Sequence, residues 1–192
     1  MIAIIQYNAG NVLSVSNAIE RLGYECCVTD NAKEIEKADK IILPGVGAAG
    51  MAMAYLNEKK LSGLIQKMEQ PVLGICLGLQ LMCQYSEEDN TTCMGIFHSV
   101  VKKIPQLDLV PHMGWNNLTD MQGNLFKNIG ETDDVYFVHS YAASLSEATV
   151  AVCDYVQPFS AALNKDNFYA TQFHPEKSAL VGEQILKNFL AL

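Results

Sequence analysis

Hydrophobic positions in the first 85 residues predict an alternation of strands and helices. Short apolar runs, typical of strands buried on both faces, occur at four places: residues 2–6, 24–29, 40–43 and 72–75. Helices are predicted in the segments that follow them: residues 12–22, 31–37, a region that ends near 69, and 77–85. This alternation is typical of a parallel sheet covered by helices.

The first predicted helix has recognisable ends. Its apolar residues recur at intervals of three and four from Val12 to Leu22, which places them on one face. Asn11 stands where a side chain can cap the first free backbone N–H groups, and Gly23 stands where helices commonly end.

The second half of the chain has a different pattern. Strands are predicted at residues 135–138, 149–154, 160–164 and 168–172, followed by a closing helix at 180–190. Some of the links between these strands are short, which favours antiparallel pairing. We therefore predict a single-domain, three-layer α/β fold over residues 1–192, with a central mixed, mostly parallel sheet.

Composition narrows the class of protein. The chain is 49% hydrophobic and 18% charged, which is ordinary for a soluble globular protein. Its net charge is −8 and it has no basic stripe, so nucleic acid is not expected as a partner. No apolar segment reaches the roughly 18 residues that span a membrane, and the opening MIAIIQYN is predicted to be a strand rather than a signal peptide.

The six cysteines show neither a CxxC pair nor zinc-ligand spacing with histidine. No metal site and no cofactor are therefore predicted. Apart from one of them, we interpret the cysteines as small buried hydrophobic residues of a cytoplasmic protein.

The exception is Cys76 in GICLG, between a predicted strand and a predicted helix, where parallel α/β sheets bind ligands. Gly74 and Gly78 leave room for a sharp turn that would expose a nucleophile. The N-terminus of the following helix favours a thiolate, and the Leu77 N–H would face a developing oxyanion. The alternative is a cysteine packed in the core between two glycines.

A nucleophilic cysteine needs a base, and His174 in QFHPEKS follows the last predicted strand. Pro175 favours an extended backbone, in which Glu176 points to the same side as His174 and can orient its ring. The alternative is a loop histidine beside a solvated glutamate. The glycines of PGVG (44–47) could bring a second oxyanion donor to the site, although a plain strand-to-helix turn has the same composition.

Taken in order, PGVG, GICLGLQ and QFHPEKS resemble the class I, or triad, glutamine amidotransferases over essentially the whole chain. The resemblance implies a flavodoxin-like fold and hydrolysis of the side-chain amide of glutamine to glutamate and ammonia. It implies Cys76 as the nucleophile, His174 as the general acid and base, and Glu176 as its orienting partner. It also implies a set of oxyanion-hole and glutamine-binding residues: Gly45, Val46, Gly47, Leu77, Gln80, His139, Ser140 and Tyr141.

Three further stretches, YNAGN near the start, PHMGWN (111–116) and YFVHSY (136–141), resemble the glutaminase subunits of imidazole glycerol phosphate synthases. In that branch of the family, ammonia passes to a separate (β/α)8-barrel cyclase in histidine biosynthesis. The resemblance implies a heterodimer with such a cyclase and no cofactor. It also implies a partner interface that includes Asn11, Met113, Trp115 and Lys177.

Three other interpretations stay open. A glutaminase could serve another ammonia acceptor, as in anthranilate-type, guanylate-type or sugar-modifying synthases. A cysteine hydrolase such as a peptidase could share the architecture, but it would not need Gln80 or the HSY stretch at 139–141. A non-catalytic binding module would need no intact triad. Because the 192 residues hold no predicted acceptor domain, we expect low glutaminase activity without a partner.

Overall fold

The computed structural model describes residues 1–7 and 11–192. Its helices are α1 (Val12–Arg21), α2 (Ala32–Lys37), α3 (Ala49–Glu58), α4 (Leu61–Ile65), α5 (Leu77–Met82) and α6 (Ala179–Leu190). Its strands are β1 (Ile2–Ile5), β2 (Cys26–Thr29), β3 (Lys40–Leu43), β4 (Val72–Ile75), β5 (Tyr85–Ser86), β6 (Thr91–Thr92), β7 (Val100–Lys103), β8 (His112–Asn117), β9 (Asp134–His139), β10 (Tyr141–Ala143), β11 (Thr149–Tyr155), β12 (Gln157–Lys165) and β13 (Phe168–Thr171). Short 3₁₀ turns lie at Glu88–Asn90, Asn124–Phe126 and Pro175–Lys177.

Seven strands form the central sheet in the order β11-β12-β13-β4-β3-β1-β2. The five strands from β13 to β2 run parallel, whereas β12 and β11 are antiparallel to their neighbours. β4 lies in the middle, where Leu73 pairs with Ile42 of β3 and with Tyr169 of β13. The prediction of a mixed, mostly parallel sheet is confirmed.

Side chains that alternate along the central strands build two hydrophobic layers. In β1, Ile2 and Ile4 pack with α1 and α6 on one face of the sheet. Ala3 and Ile5 pack with the helices α2 to α5 on the other face. Because both faces are covered, the strands are continuous apolar runs, and the predicted three-layer fold is confirmed.

Two smaller sheets were not predicted. One has four strands in the order β10-β7-β5-β6, and the other is an antiparallel ribbon of β8 and β9. β5 and β6 have two residues each, which is too short to show a periodicity in the sequence. The strand predicted at 135–138 is present as β9, but it pairs with β8 and not with the central sheet.

The helix ends differ from the predicted ones at several points. Asn11 precedes α1 with a left-handed backbone (φ 75°), and its side chain makes no capping hydrogen bond, so that expectation was wrong. Gly23, with φ +85°, follows the end of α1 as predicted. The region predicted as helical up to residue 69 is broken into α3 and α4 at Lys60, which has φ 59°. The helix predicted at 77–85 ends at Met82, because Cys83 has an extended backbone.

All six cysteines are unpaired. Cys83, Cys93 and Cys153 are buried, as expected, but Cys26 and Cys27 are only half-buried. These two lie on β2, which has a neighbouring strand on one side only. Over residues 1–7 and 11–192, no helix combines the length and the hydrophobicity needed to cross a membrane.

Candidate active site

Cys76 lies on a sharp turn between β4 and α5. Its backbone angles, φ 54° and ψ −104°, belong neither to a strand nor to a helix. The flanking glycines permit the turn: a Cβ on Gly78 would lie 1.9 Å from the Leu43 carbonyl oxygen, and a Cβ on Gly74 would lie 2.9 Å from the Gly78 backbone. The strands and the helix therefore approach one another more closely than any side chain would allow, and the expected sharp turn is present.

His174 follows β13, which pairs with β4, so the two strand ends bring it towards the cysteine. Its Nδ1 atom lies 2.7 Å from the Oε1 atom of Glu176, and both side chains are buried. The backbone between them is a 3₁₀ turn, Pro175–Lys177, and not the extended segment we expected. The Ser178 hydroxyl donates to the His174 carbonyl oxygen at 2.6 Å and holds this turn.

Opposing effects act on the pKa of His174. Burial lowers it, but interactions with Cys76 and Glu176 raise it by more, so that the pKa of His174 rises to about 10. A histidine with such a pKa is protonated at neutral pH. It can balance the charge of a thiolate and supply a proton to a leaving group.

Asn11 joins this pair from the other end of the chain. Its Nδ2 atom donates a hydrogen bond to Glu176 Oε1 and lies 3.5 Å from Nδ1 of His174. We expected Asn11 at a partner interface and did not predict that it would contact Glu176. The hydrogen bond joins positions 165 residues apart, so no local sequence pattern predicts it. The remainder of the YNAGN stretch after Tyr7, residues 8–10, lies outside the described residues.

A pocket of about 310 Å³ opens beside the cysteine. Its lining residues come from several loops and turns, from α5 and from the adjoining ends of β9 and β10: Val46, Gly47, Cys76, Leu77, Gln80, Glu88, Pro111, Val138, His139, Ser140 and Tyr141. Seven of the eight residues expected to bind glutamine or its oxyanion are among them. The eighth, Gly45, is buried and is not among the lining residues. Within the part of the chain that the structure describes, no group of three or more metal-ligating side chains is found.

Glu88 is a pocket residue that the sequence did not reveal. It lies in the 3₁₀ turn Glu88–Asn90, inside an acidic run that has the composition of a solvated loop. Its Oε2 atom accepts a hydrogen bond from the Ala49 N–H at 2.8 Å, which points the side chain inwards. Burial raises the pKa of Glu88. The pocket therefore contains one carboxylate, suited to an ammonium group.

A buried polar network also borders the pocket. Gln80 donates from Nε2 to the Tyr141 carbonyl oxygen at 2.9 Å and to Oε1 of Gln172 at 3.1 Å. His139 places Nδ1 2.8 Å from the same carbonyl and Nε2 3.0 Å from Nδ1 of His112. Burial lowers the pKa of His139 to about 3 and that of His112 to about 4, so both rings are neutral at pH 7.

One backbone N–H expected to stabilise the oxyanion, that of Leu77, already donates a hydrogen bond within the chain. Leu77 donates its N–H to the Gly45 carbonyl oxygen at 3.3 Å. Rotation of the peptide that joins Gly45 and Val46 would remove this carbonyl and turn the Val46 N–H towards the pocket in one step. The positive φ of Gly47, +118°, shows that the segment already uses a conformation that suits glycine.

Three of the four residues expected at a partner interface are exposed. Met113 and Trp115 are 66% and 54% exposed, and both point outwards from β8. Met113 pairs with Val138 of β9, whose carbonyl oxygen is 3.9 Å from the Cys76 sulfur. Lys177, in the turn after Glu176, is also exposed. The exposed face that carries Met113 and Trp115 is therefore separated from Cys76 by the β8–β9 ribbon alone.

The fold and the cysteine–histidine–glutamate site define a class of protein, and comparison with known families gives the same class. The chain belongs to the class I glutamine amidotransferases, whose family model matches residues 3–192. It is 53% identical to imidazole glycerol phosphate synthase subunit HisH of Bacteroides fragilis, over 100% of this chain and 99% of that protein. It is 51% identical to subunit HisH of Bacteroides thetaiotaomicron, with the same coverage, and 46% identical to subunit HisH 2 of Legionella pneumophila, over 100% and 98%.

Solved structures show the same fold at lower sequence identity. A glutamine amidotransferase structure superimposes with a TM-score of 0.78 at 16% identity and covers 100% of this chain and 98% of its own. The structure of a putative GMP synthase subunit from Thermoplasma acidophilum superimposes with a TM-score of 0.76 at 20% identity, over 100% and 92%. At these identities the likeness concerns the fold alone. The predicted family and fold class are confirmed.

Proposed function

We propose that this chain is the glutaminase subunit of an imidazole glycerol phosphate synthase, which releases ammonia from glutamine for a separate cyclase. The observation that carries the proposal is a strained cysteine turn and a buried histidine–glutamate pair beside a pocket of about 310 Å³. Support for the particular synthase comes from relatives of that name that are 46–53% identical over essentially the whole chain.

The proposed reaction has two steps. The Cys76 sulfur attacks the side-chain amide carbon of glutamine, and His174 gives a proton to the nitrogen, so the C–N bond breaks and ammonia leaves. Water then attacks the thioester, His174 takes a proton from it, and glutamate leaves the sulfur. Glu176 accepts a hydrogen bond at Nδ1, which leaves Nε2 of His174 as the nitrogen that transfers protons.

Recognition of glutamine falls to the pocket residues. We propose that the Glu88 carboxylate binds the α-ammonium group, because it is the acidic side chain among the lining residues. The backbone of Ser140 and Tyr141 would bind the α-carboxylate, as the family resemblance implies. Together these contacts require both charged groups of an amino acid, so a simple amide would bind poorly.

Activation by a partner is part of the proposal. The Leu77 N–H is bound to the Gly45 carbonyl, so one oxyanion donor is blocked. Loss of a single donor typically lowers the rate about 10²- to 10³-fold. We propose that docking of a (β/α)8-barrel cyclase on the face with Met113, Trp115 and Lys177 favours rotation of the Gly45–Val46 peptide. The six unpaired cysteines fit a cytoplasmic location.

The test is glutamate release from glutamine by the full chain, alone and with a histidine-pathway cyclase and its nucleotide ligand. We expect stimulation of at least about 100-fold, the rate that one oxyanion donor supplies. A folded chain that an active cyclase does not stimulate would point to a different ammonia acceptor. Cys76→Ser should abolish glutamine-dependent synthesis and leave synthesis from free ammonia by the cyclase intact; glutamine-dependent synthesis by this variant would refute the nucleophile.

A further inference from the structure

Gln172 contacts the cysteine, although no argument from the sequence assigned it a role. It follows β13 directly, two residues before His174, and is fully buried. Its Nε2 atom lies 3.7 Å from the Cys76 sulfur, within hydrogen-bond distance for sulfur. Its backbone N–H donates to the Ala161 carbonyl oxygen at 2.8 Å, which anchors the residue in the sheet. Because this amide is buried, its orientation relative to the Cys76 sulfur is fixed by the groups around it.

The neighbouring groups determine which end of the Gln172 amide faces the sulfur. The Tyr141 carbonyl oxygen can only accept hydrogen bonds, so Gln80 must present its NH₂ group to it, at 2.9 Å. The second N–H of that group then points to Gln172 at 3.1 Å and requires an acceptor there. Gln172 therefore presents Oε1 to Gln80 and its own NH₂ group to Cys76.

The sulfur has a second polar neighbour of opposite character. The Val138 carbonyl oxygen, 3.9 Å away, can interact favourably only with the protonated thiol, which donates to it. An N–H from Gln172 interacts most favourably with the thiolate, because hydrogen bonds to ions are the stronger ones. The two contacts therefore favour opposite ionisation states of Cys76, and they act beside His174 and the buried phenol of Tyr7, which also interact with the sulfur.

We propose that Gln172 is a further catalytic residue, whose amide N–H stabilises the Cys76 thiolate, and that Gln80 is the positioning residue that sets the direction of this amide. This inference rests on the proposed function and names two roles within it. The proton that leaves the sulfur goes to His174, so no other reactant is required. The chain of contacts continues from the Tyr141 carbonyl through His139 to His112, the residue before Met113 on the exposed ribbon.

The experiment measures the rate at which iodoacetamide alkylates Cys76 in the full chain between pH 5 and 10, by mass spectrometry of the peptide that contains it. Peptide resolution is needed because Cys26 and Cys27 are half-exposed and therefore open to the same reagent. Gln172→Met removes the donor with little change in volume, and Gln172→Glu replaces it with a negative charge. Gln84→Glu, at an exposed position, is the matched charge control.

We expect the midpoint of the alkylation profile to move up by about one pH unit in Gln172→Met, the shift that loss of a hydrogen bond to a charged group produces. Gln172→Glu should move it further, and Gln84→Glu should leave it in place. Gln80→Met should also move it up, although Gln80 makes no contact with the sulfur. Profiles of both Gln172 variants that coincide with the unmodified chain would overturn the proposal.

A measurement on the unmodified chain covers the case in which the variants do not fold. The side-chain amide protons of Gln172, observed by NMR, should change frequency with the same pH midpoint as alkylation, and this change should vanish in Cys76→Ser. Constant frequencies through that midpoint would overturn the proposal. Stimulation of glutamate release by the cyclase tests the proposed function separately, so the two can fail independently.

Discussion

Replacement of Gly78 by alanine tests whether the close approach of backbone segments around Cys76 is needed for the reaction. Helix propensity alone favours alanine over glycine in α5 by up to about 1 kcal/mol. The added Cβ, however, would lie 1.9 Å from the Leu43 carbonyl oxygen, and real Cβ atoms require at least 3.0 Å, so α5 and β3 must separate by about 1.1 Å. Overpacking of this kind costs about 1–3 kcal/mol, so we expect a net loss of up to about 2 kcal/mol in the free energy of unfolding.

The expected effect on the rate is larger. Cys76 and Leu77 stand at the start of α5 and move with it, and a displacement of about 1 Å among reacting groups can lower a rate about 100-fold. We therefore expect glutamine-dependent kcat/KM to fall by about two orders of magnitude in Gly78→Ala. Synthesis from free ammonia should be unchanged, because that reaction does not use Cys76.

Two assays separate these effects: steady-state glutamate release with the cyclase present, and thermal unfolding followed by circular dichroism. Gly63→Ala is the matched control, because Gly63 also lies in a helix and a Cβ there meets nothing within 4 Å. It should keep the kcat/KM of the unmodified chain and a Tm at least as high. If Gly78→Ala also retained both values, the turn at Cys76 would not depend on the close approach of α5 and β3.

Three further predictions concern other parts of the molecule. Trp115→Ala should weaken cyclase binding by about 2 kcal/mol, or roughly 30-fold in Kd by isothermal titration calorimetry. Its Tm should change little, because Trp115 is 54% exposed, and an unchanged Kd would place the docking face elsewhere. Asn11→Ala removes a hydrogen bond to Glu176 and should lower glutamine-dependent kcat about tenfold. Asn11→Asp should lower it further, because two carboxylates would then meet. Equal kcat values in the unmodified chain and both variants would refute this role. Burial lowers the pKa values of His112 and His139 to about 4 and about 3, so their stabilising effect is complete above the unfolded value of about 6.5 and is lost as the pH falls through 4 towards 3. Urea titrations should show this fall, and a His112→Asn variant with an equally steep fall would contradict the assignment.

The parts of the fold that could be predicted are those in which burial imposes a regular pattern. β4 is buried on both faces, and the glycines on either side of Cys76 are required by backbone contacts, so both leave a signal in the local sequence. The Glu176 contact with His174 was also predicted, but for the wrong backbone reason, because Pro175 begins a 3₁₀ turn. Proline fits the first position of such a turn as well as an extended segment.

The parts that could not be predicted depend on contacts between distant segments. Asn11 resembles a helix cap in the sequence, yet it binds a carboxylate 165 positions away. Glu88 enters the pocket through a short turn in a small sheet that has no periodicity. Gln172 opens the QFHPEKS stretch, but its role was missed because only the fold brings its buried side chain to the Cys76 sulfur.

The pairing of Met113 with Val138 places the proposed docking face next to the Cys76 sulfur. One residue of this pair is exposed on the proposed docking face, and the other touches the Cys76 sulfur through its carbonyl oxygen. Coupling between two binding sites is reciprocal, so a cyclase that tightens the binding of glutamine must itself be held more tightly, by the same factor, once glutamine is bound. Glutamine would then stabilise the complex as much as the cyclase stabilises bound glutamine, and the complex would be strongest when glutamine is abundant.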